Sequence, residues 1–168
     1  MNCPSCGAPM RLKPDEDSYK CDYCRSVYLP ETGDDGVRVL GESSSQACPI
    51  CNTPLANAAI AKIRILYCTG CRGMLIPMQL LETLVEQLRT QQAGAAPQPA
   101  ADASDLQRKI DCPQCRHRMD THFYAGPGNV VVDSCESCCL IWLDRGELLH
   151  IVHAPDLRSS ETWDDSAG

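Results

Sequence analysis

Apolar positions in this chain fall mostly in short alternating runs. Arg11-Leu12-Lys13 and Ser18-Tyr19-Lys20 read as two short strands joined by the acidic turn Pro14–Asp17. Val27-Tyr28-Leu29-Pro30 follows as an apolar flap. Ala59–Tyr67 alternates and is rich in β-branched residues, which predicts a strand. Met119–Tyr124 and Val130–Asp133 predict a hairpin that turns at Gly126–Asn129. Helical spacing occurs in two places. Leu80, Leu81, Leu84, Val85 and Leu88 line one face of a helix predicted from Pro77 to about Gln92, a stripe that either packs on its own ribbon or meets a partner. Leu148, Leu149 and Val152 line a second, with Asp144 and Glu147 at N-cap and N3 spacing.

Polar and small residues separate these runs. Residues 31–47 carry Gly, Asp and Ser and read as a linker, with Val37–Leu40 as a candidate added strand. Residues 93–107 read as an Ala/Pro-rich linker, and 155–168 as an acidic, disordered tail that holds Trp163. The predicted segments are therefore 1–30, 48–92 and 108–154, each shorter than a domain that folds on its own core.

The cysteines supply what such short segments lack. Cys-x-x-Cys occurs in pairs, three times over. The sets are Cys3, Cys6, Cys21 and Cys24; Cys48, Cys51, Cys68 and Cys71; and Cys112, Cys115, Cys135 and Cys138. Of the 13 cysteines only Cys139 stands outside them. Four thiolates in two knuckles suit a tetrahedral structural Zn²⁺, so the expected cofactor is one zinc per set, three per chain. Each metal would contribute on the order of 10–16 kcal/mol to folding. Thiolate tetrahedra also suit iron, and spacing alone leaves that open. Disulfides are disfavoured because no signal peptide precedes Cys3, which also points to the cytoplasm. No apolar run reaches membrane-spanning length.

The predicted fold is a small, metal-stabilised α+β protein. It comprises three tandem Cys₄ zinc ribbons, the second and third each followed by an α-helix. Superposed, the segments agree beyond their cysteines: each opens Cys-Pro-x-Cys, and each has an apolar pair after its last cysteine, Tyr28-Leu29, Leu75-Ile76 and Trp142-Leu143. The third segment resembles a bacterial TFIIB-type zinc ribbon, with its run Trp142-Leu143-Asp144-Arg145-Gly146-Glu147-Leu148. The second is similar, keeping Arg72-Gly73 but lacking the Trp and Asp. The third has Leu140 where the family usually has Gly. The first resembles a generic zinc ribbon. The resemblance implies Zn²⁺ on the cysteines and no secure activity.

Charge narrows the functional classes. The net charge is −7, with +2 over residues 46–92 and −5 over 112–168. A polyanion-binding protein needs a basic face, and only the middle segment leans that way, through Lys62, Arg64, Arg72 and Arg89. Four thiolates leave a metal no open position, and His117, His122, His150 and His153 lack catalytic metal spacing, so no enzyme is expected. The leading expectation is a protein-interaction adaptor that presents its ribbons and the helix face Leu80, Leu81, Leu84, Val85 and Leu88 to a protein partner, or to a second copy through the 77–92 helix. A transcription-associated or nucleic-acid-binding protein is the first alternative, and a thiol-based redox or zinc sensor the second.

Overall fold

The computed structural model describes residues 1–13, 16–91, 106–125 and 129–154. Residues 14–15 of the expected turn 14–17, residues 92–105 with most of the expected linker 93–107, residues 126–128 of the expected hairpin turn 126–129 and the tail 155–168 lie outside the described residues.

The chain is a small α+β protein with antiparallel strands, two helices and three Cys₄ clusters. The first sheet has three strands in the order β1-β2-β3: β1 Met10–Lys13, β2 Ser18–Cys21 and β3 Val27–Tyr28. Met10 and Tyr19 point inward, whereas Arg11, Lys13, Val27 and Leu29 are exposed. This alternation is what a strand with one covered face produces.

The second sheet has seven strands in the order β4-β5-β6-β7-β10-β9-β8. Its members are β4 Arg38–Ala47, β5 Pro54–Ile60, β6 Ile63–Tyr67, β7 Met74–Pro77, β8 Asp120–Phe123, β9 Val131–Cys135 and β10 Leu140–Leu143. Helix α1 is Met78–Gln91 and α2 is Glu147–His153. The central pair, β7 and β10, joins the second cysteine segment to the third. Its register sets Leu75 opposite Trp142 and Ile76 opposite Ile141. Leu75 and Trp142 hold equivalent places in the internal repeat, so the two segments meet about an approximate two-fold axis.

Alternation along β7 and β10 sends neighbouring residues to opposite faces. Met74, Ile76, Ile141 and Leu143 join a core with Leu81, Leu84, Val85 and Leu88 of α1 and Leu148, Ile151 and Val152 of α2. Leu75 and Trp142 turn to the other face, into a core with Leu55, Met119, Cys48, Cys68, Cys112 and Cys135. The sheet is thus a layer between two helices and two cysteine clusters.

Four expectations are corrected. The strand expected at Val37–Leu40 within the 31–47 linker is present but longer, running from Arg38 to Ala47: β4 pairs with β5, and its Ser-rich run is carried by that partner despite weak strand propensity. Ala59–Tyr67 is not one strand. Ala61 and Lys62 both take positive φ and turn the chain between β5 and β6, in the mirror-image turn that suits a two-residue hairpin. The second helix starts at Glu147 rather than Asp144, after Gly146 at φ +89°. Glu147 still accepts the backbone N–H of Asp144 at 2.6 Å, half of the expected capping box.

The fourth correction concerns the α1 face. Leu81, Leu84, Val85 and Leu88 are buried under this chain's own sheet and α2, and Leu80 is half-buried. The stripe expected to meet a partner or a second copy is already covered.

Candidate metal centres

Five of the six cysteine knuckles are tight turns closed by two backbone bonds, and in the sixth the Cys139 N–H donates to the Glu136 carbonyl at 3.2 Å instead. In the second cluster the Asn52 N–H donates to the Cys48 carbonyl at 2.9 Å, and the Cys48 N–H donates to Thr53 at 2.8 Å. Cys3/Gly7, Cys21/Arg25, Cys68/Arg72 and Cys112/Arg116 repeat the first bond. The residue after the second cysteine has positive φ in all six knuckles: Gly7, Arg25, Asn52, Arg72, Arg116 and Cys139. That conformation turns amide groups back toward the sulfur atoms. Ile50 and Cys51 donate N–H to Cys48 Sγ at 3.4 and 3.3 Å, and Cys71 donates to Cys68 Sγ at 3.5 Å.

The expected twelve cysteines gather into the expected three groups, and within each the Sγ atoms all lie within 4.8 Å of one another. Cys3–Cys24 and Cys6–Cys21 are 3.5 Å apart, and Cys48–Cys71 and Cys115–Cys135 are 3.6 Å apart. A tetrahedron with Zn–S bonds of about 2.3 Å has S···S edges of about 3.8 Å, so the groups fit. A disulfide needs about 2.05 Å, and all thirteen cysteines are free. These are zinc sites. The thirteenth, Cys139, is exposed and occupies the positive-φ knuckle position, with its Sγ directed at the Glu136 carbonyl at 3.5 Å.

Without metal, the thiols of a cluster divide by the donors around them. Ser26 bonds Cys24 through its hydroxyl at 3.0 Å and lowers that thiol to about 6. Burial raises Cys68, but N–H donors from Cys71 and Gly70 and the Thr53 hydroxyl outweigh it and bring it to about 6. The His117 N–H brings Cys115 to about 7. Their neighbours move the other way: burial and the surrounding thiols push Cys138 up to about 12. Cys6 keeps a lowering bond from Ala8, yet Cys24, burial and Cys21 push it to about 12.

A family model described as transcription factor zinc-finger, the TFIIB-type zinc ribbon, matches residues 47–87 and 111–154. The chain belongs to the TFIIB-type zinc-ribbon family. The two matched segments carry β5–β7 and β8–β10 of the seven-stranded sheet, and the first cluster and nearly all of β4 lie outside them. Searches of curated proteins and of solved structures return no match.

One functional feature escaped the sequence reading. Arg108 reaches from the segment before the third ribbon to Asp133 and Asp144. Asp133 is fully buried and also accepts from Thr121, while Asp144 accepts the Trp142 indole N–H at 2.9 Å. Asp144 therefore holds Trp142 over the metal face rather than capping α2. The basic residues expected to favour nucleic acid are partly engaged: Arg64 pairs with Asp17 at 2.8 Å, and Arg89 donates to the carbonyls of Ile151 and Ala154 at the end of α2.

Proposed function

We propose that this zinc-ribbon protein is a non-catalytic adaptor in which three metal-held ribbons present a docking surface to a protein partner. The observation that carries the reading is the apolar strip on the first ribbon. Tyr23, at the tip of its second knuckle, is 83% exposed, with Val27 at 58% and Leu29 at 54%. Isolated apolar side chains need no explanation, but three in seven successive positions beside a metal knuckle form a patch of the kind that partners bury. The paired second and third ribbons act as its rigid base. The Cys₄ sites support the non-catalytic part, because four thiolates leave no position for a substrate.

The test is retention of partners from the protein's own cell extract, with the patch variant Val27→Glu/Leu29→Glu in parallel. A protein held in stoichiometric amount by the wild type and lost by the variant is the expected result. Equal retention by both, or none by either, overturns the reading.

A nucleic-acid-binding role in transcription is the second reading. Its support is a different basic set from the one the sequence suggested. Arg11 and Lys20 stand opposite each other in register on the first sheet, with Lys13 two residues further along β1, although Arg11 also pairs with Asp22 at 2.8 Å. That role requires affinity for single- or double-stranded probes at low salt that falls steeply with ionic strength. Among the described residues no helix is long and apolar enough to cross a membrane.

A further inference from the structure

The three zinc sites are not equivalent. Cys48 and Cys68 of the second site and Cys112 and Cys135 of the third lie in one hydrophobic cluster, bridged by Leu75 and Trp142. Each of these two sites is therefore braced by the other's ribbon. The first site has a separate core of Cys3, Met10, Tyr19 and Cys21. Its other two ligands, Cys6 and Cys24, are both exposed; the second site exposes only Cys51, and in the third Cys115 and Cys138 are half-buried.

Asp17 and Tyr19 join the first ribbon to the large sheet. Asp17, buried, pairs with Arg64 of β6 at 2.8 Å. The Tyr19 hydroxyl lies over Gly41 of β4, where a Cβ would sit 3.3 Å from it. Gly41 has φ +72°, so the strand is bent at the point where the tyrosine crosses it.

From these features we infer that the first site holds an exchangeable zinc, and that its loss releases residues 1–30 from the β4–β6 end of the large sheet while the two-zinc body stays folded. Ligand exchange at a closed tetrahedral site needs an incoming donor to approach between sulfur atoms, and Cys6 and Cys24 offer that approach to solvent. The metal passes to the incoming ligand as Zn²⁺, without change of oxidation state, and the freed thiolates take up protons from water. Four buried core residues cannot hold a ribbon of this size once its metal is gone. Release frees Arg64 from Asp17 and withdraws the Tyr19 hydroxyl from Gly41 of β4. The docking of the first ribbon on the large sheet is thus zinc-dependent. This inference is independent of which partner the exposed strip binds.

The test uses the full chain loaded with zinc and challenged with a chromogenic pyridylazo chelator, followed by hydrogen-exchange mass spectrometry. One of the three zincs should leave faster by about 10-fold or more, as expected where solvent access to a site differs. At that stage residues 1–30 should lose protection, with 48–91 and 106–154 protected and Trp142 emission unchanged. Cys24→Ser should remove the fast phase and leave two slow zincs on a folded body. Release of all three in one phase overturns the inference, as does early loss of protection within 48–154, or retained protection of 1–30 after the first zinc has left.

Discussion

A Cβ placed on Gly73 would lie 2.2 Å from Cζ2 of Trp142, closer than any two carbon atoms can pack. Gly73 belongs to the second ribbon and Trp142 to the third, so the contact crosses the approximate two-fold axis. The reciprocal positions are Leu140 and Leu75. Where the third ribbon has a large Trp, the second has a glycine to receive it. Where the second has the smaller Leu75, the third has Leu140, packed against the same core. The departures of the two ribbons from each other are complementary.

Gly73→Ala should therefore destabilise the paired body by about 1–3 kcal/mol through overpacking, or by more if the indole cannot shift. Trp142→Leu alone should also destabilise, by leaving a cavity. The double variant should lose less than the sum of the two. Thermal melts of the four proteins at fixed zinc measure this coupling, and strict additivity would mean that the residues do not meet.

Arg108→Ala should cost about 3–5 kcal/mol, because it leaves the buried Asp133 carboxylate without its cation. Adding Asp133→Asn to that variant should restore part of the loss. Chemical denaturation checks both, and a surface-like loss below about 1 kcal/mol for Arg108→Ala would sink the assignment.

The buried α1 face makes its own prediction. Leu84→Ala should cost about 2–5 kcal/mol, the range for a fully buried leucine. Leu80→Ala, at a half-buried position, should cost clearly less. A face that served only a partner would show little stability loss at either position in the isolated chain.

Zinc loading should release protons, and fewer than four at the second site at neutral pH. In the paired body without metal Cys68, lowered to about 6, is already a thiolate there, whereas Cys138 of the third site, raised to about 12, must give up a proton to bind. The sign follows: acid protonates every ligand and weakens zinc binding, and affinity rises with pH until the raised thiols ionise. Calorimetric zinc titrations in buffers of different ionisation enthalpy count the protons. A pH-independent affinity would contradict the thiolate ligand set.

The metal sites were legible because a cysteine knuckle is a local object. Its two ligands, its turn and its returning hydrogen bonds fit within a few residues, so spacing is enough to mark it. Even so, only Gly7 and, more weakly, Asn52 announced the positive-φ position by residue type; Arg25, Arg72, Arg116 and Cys139 take the same conformation without that signal. The same conformational freedom at Ala61 and Lys62 hid the β5–β6 turn within what read as one strand. The pairing of β7 with β10 was not legible, because it joins residues far apart in sequence and leaves no local periodicity. Its trace lay in the exchanged sizes at Gly73, Leu75, Leu140 and Trp142, which read individually as departures from a repeat. The α1 stripe was read correctly as apolar, but its destination depended on that same long-range pairing.

The most direct measurement is native mass spectrometry of the purified 168-residue chain under reducing-agent-free conditions. The account predicts a chain of 18.4 kDa carrying three zinc ions, with every cysteine reduced. Fewer than three zincs, a different metal, or the mass losses of disulfide formation would contradict it.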